Sequence, residues 1–86
     1  MEPYEVLLYS LMTEKAVGMA SSENKLTFAV SKIANKEEIA TAVEKAYKVK
    51  VKGVVTQRTF KGLKKAIVKL DPQFSAEEIA SRIGAF

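Results

Sequence analysis

Histidine and cysteine are both absent from the 86 residues. Without them the commonest general base, the thiol nucleophile and the usual zinc ligands are missing, and no disulfide framework can form. The absence of cysteine suits an expected cytoplasmic location. Glycines are few and isolated (Gly18, Gly53, Gly62 and Gly84), so there is no glycine-rich phosphate loop. Two carboxylate pairs exist, Glu37-Glu38 and Glu77-Glu78. Neighbours on a helix diverge by about 100° and do not share a substrate, whereas negative charge in a first helical turn suits the macrodipole. No apolar run approaches the roughly 20 residues that span a bilayer. The acidic start, Met1-Glu2-Pro3-Tyr4-Glu5, has the wrong sign for a signal or transit peptide. These features argue against an enzyme, a cofactor, a metal, a small-molecule substrate and a membrane partner.

The most informative scarcity is local. Between Ala46 and Leu70 there is no carboxylate, yet Lys48, Lys50, Lys52, Arg58, Lys61, Lys64, Lys65 and Lys69 all fall there. The remainder holds six basic residues and ten acidic ones, so a stretch of +8 is set against about −4 elsewhere. Such a stripe attracts polyphosphate at long range and releases counterions on contact, which makes nucleic acid the leading partner class. Interleaved apolar residues argue against a disordered tail. Side chains alternate along a strand, so Lys48 to Lys52 puts Val49 and Val51 on one face and three lysines on the other. Lys64 to Leu70 likewise sets Ala66, Val68 and Leu70 against Lys65, Ile67 and Lys69. The bland alternative is a solvated surface, since edge strands also carry lysine to block aggregation.

The length sets one domain over residues 1–86, large enough for one modest core without staples, and 48% apolar content fits an ordinary globular chain. Glu5 to Tyr9 reads as a first strand. Thr13 caps a short helix with Ala16, Val17 and Ala20 on its apolar side, and Ser21 to Asn24 is a polar turn. Lys25 to Ser31 alternates as a half-buried strand. Asn35 and Glu38 form a capping-box variant ahead of a helix whose stripe is Ile39, Val43, Ala46 and Tyr47. Lys48 to Thr59 is a long strand with Gly53 as a bulge or twist point. Phe60 to Leu63 turns into the strand Lys64 to Leu70, making a hairpin that carries most of the basic charge. Ser75 and Glu78 form a capping box for a last helix holding Ile79, Ala80 and Ile83, stopped by Gly84. The expected fold is α+β: a four-stranded, mainly antiparallel sheet packed with helices, in the order β-α-β-α-β-β-α.

Lys61-Gly62 ahead of Ala66 and Val68 is faintly like the RNP1 box of RNA-recognition motifs. That box needs exposed aromatics on central strands, where this chain has Ile67 and lysines, and the element order also differs. A more extensive match rests on Thr13-Glu14-Lys15, Asn24-Lys25-Leu26-Thr27-Phe28-Ala29-Val30, Asn35-Lys36-Glu37-Glu38-Ile39, Val49 to Thr56, Lys61-Gly62 and Lys64-Lys65-Ala66-Ile67-Val68-Lys69-Leu70. In this order and spacing the chain resembles the large-subunit ribosomal protein twenty-three family, from about Val6 to Gly84, with the short hairpin loop of its archaeal type.

The resemblance implies a structural, ribosome-bound protein of the cytoplasm. It would contact large-subunit rRNA, chiefly domain III, at the rim of the polypeptide exit tunnel. It would sit beside neighbouring ribosomal proteins and help dock nascent-chain factors such as signal recognition particle. Glu14 matches the factor-docking position. Lys15, Thr56, Arg58, Lys61, Lys64 and Lys65 match rRNA-facing positions, and Thr13, Lys25 and Thr59 complete the candidate rRNA-binding set. Val55, Phe60 and Ser10 depart from the family pattern, which has Asn, often Pro, and often Pro there; Val55 removes an amide that could bond RNA. Two other classes compete: a small adaptor whose basic stripe meets an acidic protein, and a DNA-binding module, although no helix is basic enough to read a major groove.

Overall fold

The computed structural model describes residues 3–11, 13–58 and 62–83. A helical turn, α1 (Pro3–Val6), precedes strand β1 (Leu7–Ser10), and α2 (Glu14–Ser22) leads to β2 (Lys25–Val30). Then follow α3 (Lys36–Tyr47), the hairpin strands β3 (Val51–Arg58) and β4 (Lys64–Leu70), and α4 (Ala76–Arg82). The sheet order is β1-β2-β4-β3 and every pairing is antiparallel. The expected α+β architecture and element order are therefore present.

Local chemistry accounts for most boundaries. The Thr13 hydroxyl accepts from the Ala16 N–H at 3.1 Å and caps α2. At α3 the capping box is complete: Asn35 Oδ1 accepts from Glu38 N–H at 2.8 Å and Glu38 Oε1 accepts from Asn35 N–H at 3.1 Å. At α4 only half of the expected box exists. Ser75 Oγ accepts from Glu78 N–H, but the Glu78 carboxylate turns to Arg82 at 2.7 Å, one helical turn on. The predicted stop at Gly84 lies outside the described residues.

Other boundaries differ from the sequence reading. Glu5 and Val6 belong to α1 rather than to the first strand. Pro3 sits at a first helical position, which its fixed φ suits, and Val6 is buried. The third strand starts at Val51, because Lys48 ends α3 in the left-handed region at φ 55°. The register shifts between Val51 and Gly53, leaving Lys52 as the extra residue. The bulge expected at Gly53 is thus present. The buried stripe of α3 is Ile39, Ala42 and Val43, with Tyr47 half-buried; Ala46 faces solvent.

The core lies between the sheet and the helices. Leu26, Phe28 and Val30 from β2 and Ala66, Val68 and Leu70 from β4 meet Ala20, Ile39, Val43, Ile79 and Ala80 from the helices. Phe28 stacks on Tyr47 with ring centroids 5.9 Å apart. Each fully buried large aliphatic or aromatic side chain contributes about 1.5–3 kcal/mol. Asn24, at φ 58°, clamps two turns together. Its amide donates to the carbonyls of Leu70, Asp71 and Phe74, and its Oδ1 accepts from Ala76 N–H at 2.7 Å. The α2–β2 turn is thereby fixed to the β4–α4 connection.

Candidate nucleic-acid interface

Register decides which way each cation points, because residues paired across antiparallel strands share a face. On the face away from the core, Tyr9, Ala29, Lys65 and Gln57 form one cross-strand row. Thr27, Ile67 and Val55 form the next, and Leu11 extends it by donating its N–H to the Thr27 carbonyl at 3.0 Å. Lys25, Lys69 and Gly53 form a third. Thr56, Arg58 and Lys64 pair onto the other face, with Ala66, at the hairpin-tip end of the sheet.

The alternation of β2 predicts a half-buried strand, yet Thr27 and Ala29 on its outer side are buried as well. The strand is interior, and these small residues lie between the longer side chains of Tyr9, Lys65 and Ile67 on its neighbours. A long lysine stem can cover such surface while its head stays in water.

The sequence-predicted residues therefore do not form one patch. Arg58 is exposed, Thr56 half-buried, and the Lys64 ammonium donates to the Ala34 carbonyl at 2.6 Å, which fixes it beneath the loop after β2. Lys65 lies on the open face. Lys25 faces the same way, but its ammonium pairs with Glu23 at 3.1 Å, which offsets its like-charge apposition to Lys69. Thr13 and Lys15 lie in the helical layer at the start of α2. The Thr13 oxygen is engaged in capping, leaving its hydroxyl proton to donate. Glu14, also exposed, opens the same helix. Thr59 and Lys61 lie outside the described residues.

One cation escaped the sequence reading. Lys32 joins Gly62 and Lys64 around a hollow of about 250 Å³ at the hairpin end, together with Leu8 and Val30. Gly62 has φ +77°, and a Cβ there would stand 3.3 Å from the Lys32 ammonium. Lys32 and Gly62 are 30 positions apart in sequence, so no local signal groups them. Lys69, part of the basic run, also stands exposed on the open face.

Electrostatics distinguish this layer. Among the described residues the only ion pairs are Lys25–Glu23 and Arg82–Glu78. Lys48, Lys50, Lys52, Arg58, Lys64, Lys65 and Lys69 thus have no carboxylate within 4.0 Å. A concavity of about 630 Å³ runs between α2 and α4 past Val17, Ser21, Glu77 and Arg82, in the helical layer rather than on the cationic sheet. No group of three or more Asp or Glu side chains among the described residues is arranged to hold a metal ion. No helix there is long and apolar enough to cross a membrane.

The chain is similar to known proteins along most of its length. The family model for ribosomal protein L23 matches residues 5–78. The large ribosomal subunit protein uL23 of Thermoplasma acidophilum is 51% identical over 82 residues, covering 95% of this chain and 96% of the relative. That of Haloarcula marismortui is 47% identical over 83 residues, covering 96% and 98%.

Proposed function

The chain belongs to the ribosomal protein L23 family, and from that premise we propose that it binds large-subunit rRNA through the cations of the β3–β4 hairpin. The observation that carries this reading is that the described hairpin cations have no acidic partner among the described residues. The Lys64 ammonium is held by the Ala34 carbonyl, but cations with no carboxylate beside them keep their full charge for phosphate, and their proximity raises local anion affinity. Phosphate contacts position more than they specify, so selectivity would come from the tertiary shape of the RNA, since the A-form major groove is too narrow to read. Lys15 and Thr13 would add contacts from α2, Thr56 and Thr59 would add neutral hydrogen bonds, and Lys25 would contribute less because Glu23 already holds it.

The test is binding to a domain III transcript against an unrelated structured RNA of equal length, at several salt concentrations. Five phosphate contacts give a slope of log K on log salt of about −3.5 to −4.5. A preference for domain III with that slope is expected; equal binding to both RNAs, or a slope near zero, removes the specific rRNA reading.

The same reading places the protein at the exit-tunnel rim beside neighbouring ribosomal proteins, with Glu14 receiving nascent-chain factors such as signal recognition particle. What supports a separate docking face is that Glu14 is exposed on α2, in the helical layer, while the open face of the sheet carries no carboxylate. Glu14→Ala should weaken factor recruitment to ribosomes and leave rRNA affinity unchanged. An equal loss in both would show that the two faces are not independent.

A further inference from the structure

The hairpin cations explain attraction to RNA but not the composition of the open sheet face. That face is neither a plain solvated surface nor a plain cationic one. A largely apolar row, Thr27–Ile67–Val55, crosses β2, β4 and β3 and is continued by Leu11 just past β1, between a row holding Lys65 and a row holding Lys25 and Lys69. Val55 is 55% exposed and Tyr9, on the edge strand, is 54% exposed. No described helix packs over this face, and no acidic residue stands in its three rows. Within it the Thr27 hydroxyl is buried without any hydrogen-bond partner.

We propose that this face seats an unpaired stretch of the RNA, with bases laid on Val55, Ile67 and the Tyr9 ring and phosphates held by Lys65 and Lys69. The proposal rests on the rRNA-binding reading and adds which form of RNA is taken and by which surface. An RNA duplex turns its bases inward and offers phosphates and 2′-hydroxyls, which would leave the apolar row against charge. A single strand offers both kinds of surface at once: flat bases for the apolar row and phosphates for the flanking ammonium groups. A protein segment covering the face would have to bring carboxylates for Lys65 and Lys69 as well as an apolar strip. The face differs from RNA-recognition motifs in placing Ile67 on a central strand and, among the described residues, its exposed ring, Tyr9, on an edge strand.

The experiment measures the full chain on the domain III transcript. A short mixed-sequence single-stranded RNA, and the same sequence as a duplex, serve as competitors. The double variant Tyr9→Ala/Val55→Ser removes no charge. It should bind the transcript about 5- to 150-fold more weakly, the equivalent of roughly 1–3 kcal/mol of base stacking, with an unchanged salt slope. Tyr9→Phe alone should bind like the parent, because the ring remains. The single strand should compete better than the duplex. Val55→Thr, which keeps the β-branched shape, replaces Val55→Ser if the melting temperature falls. Parental affinity in the double variant, or equal competition by the duplex, overturns the open-face proposal while leaving the hairpin reading intact. Loss of domain III preference in the unmodified protein removes that reading instead. Parental RNA affinity together with protection of Val55 and Tyr9 by a neighbouring protein in the assembled subunit assigns the face to protein.

Discussion

The sheet and the helices of this small domain have opposite electrostatic characters. The four strands contain Lys25, Lys52, Arg58, Lys64, Lys65 and Lys69 and no acidic residue. The helices contain Glu5, Glu14, Glu37, Glu38, Glu44, Glu77 and Glu78 against Lys15, Lys36, Lys45 and Arg82. Helices tolerate, and in their first turns favour, carboxylates; strands here exclude them. Separating the signs onto two layers leaves most of the sheet cations without a carboxylate beside them; Lys25, paired with Glu23, is the exception among the described strand residues. A net charge of +4 understates this, because it averages a cationic sheet with a more acidic helical layer.

The strongest disruption of the comparison is to unpin the layers. Asn24→Ala deletes four hydrogen bonds from one side chain and leaves a non-glycine residue at φ 58°. It should lower unfolding stability by about 2–4 kcal/mol, at roughly 1 kcal/mol per bond, as read by urea denaturation, and both faces should lose activity together. Reversing charge on one layer sharpens the comparison instead. Lys64→Glu with Lys65→Glu should reduce domain III affinity on the order of a hundredfold at low salt and flatten the salt slope, with factor docking at Glu14 untouched. Lys64 also loses its bond to the Ala34 carbonyl, so a melting curve should accompany the titration.

A smaller effect is expected at the hairpin tip. Gly62→Ala strains a backbone at φ +77° and crowds the Lys32 ammonium, costing about 1 kcal/mol and a few-fold in RNA affinity. Thermal melting and the same binding assay would read both. The smallest concerns Tyr47, whose phenol is held above the ordinary tyrosine value by burial. The folded state keeps that proton at a pH where the unfolded chain has begun to lose it, so stability should fall as pH rises beyond about 10. Tyr47→Phe should remove that part of the alkaline decline in a pH series of denaturation curves.

Elements with strong local signals were legible without coordinates. The capping box at Asn35, the Thr13 cap, the Gly53 bulge and the alternation of β4 all depend on residues within one or two turns of each other, and each stands where expected. Errors arose where a competing local partner or a distant neighbour decided. Glu78 chose Arg82 over the Ser75 N–H. Lys48 took a left-handed helix terminus instead of beginning a strand. Burial of Thr27 and Ala29 depends on the residues of two other strands. The candidate site was legible as a charge but not as a surface: one list of cations divides among the hairpin tip, the open face and the first turn of α2.

By itself the sequence determined the element order, the family and the concentration of positive charge, because each of these is written in short-range pattern or in composition. Only the tertiary structure decided which lysines share a face, that Lys32 joins the hairpin end, that Asn24 ties two turns together, and that an apolar row lies between two rows of lysine. Those features follow from strand order and register, which are set by pairing between residues tens of positions apart and by which side of the sheet the helices cover.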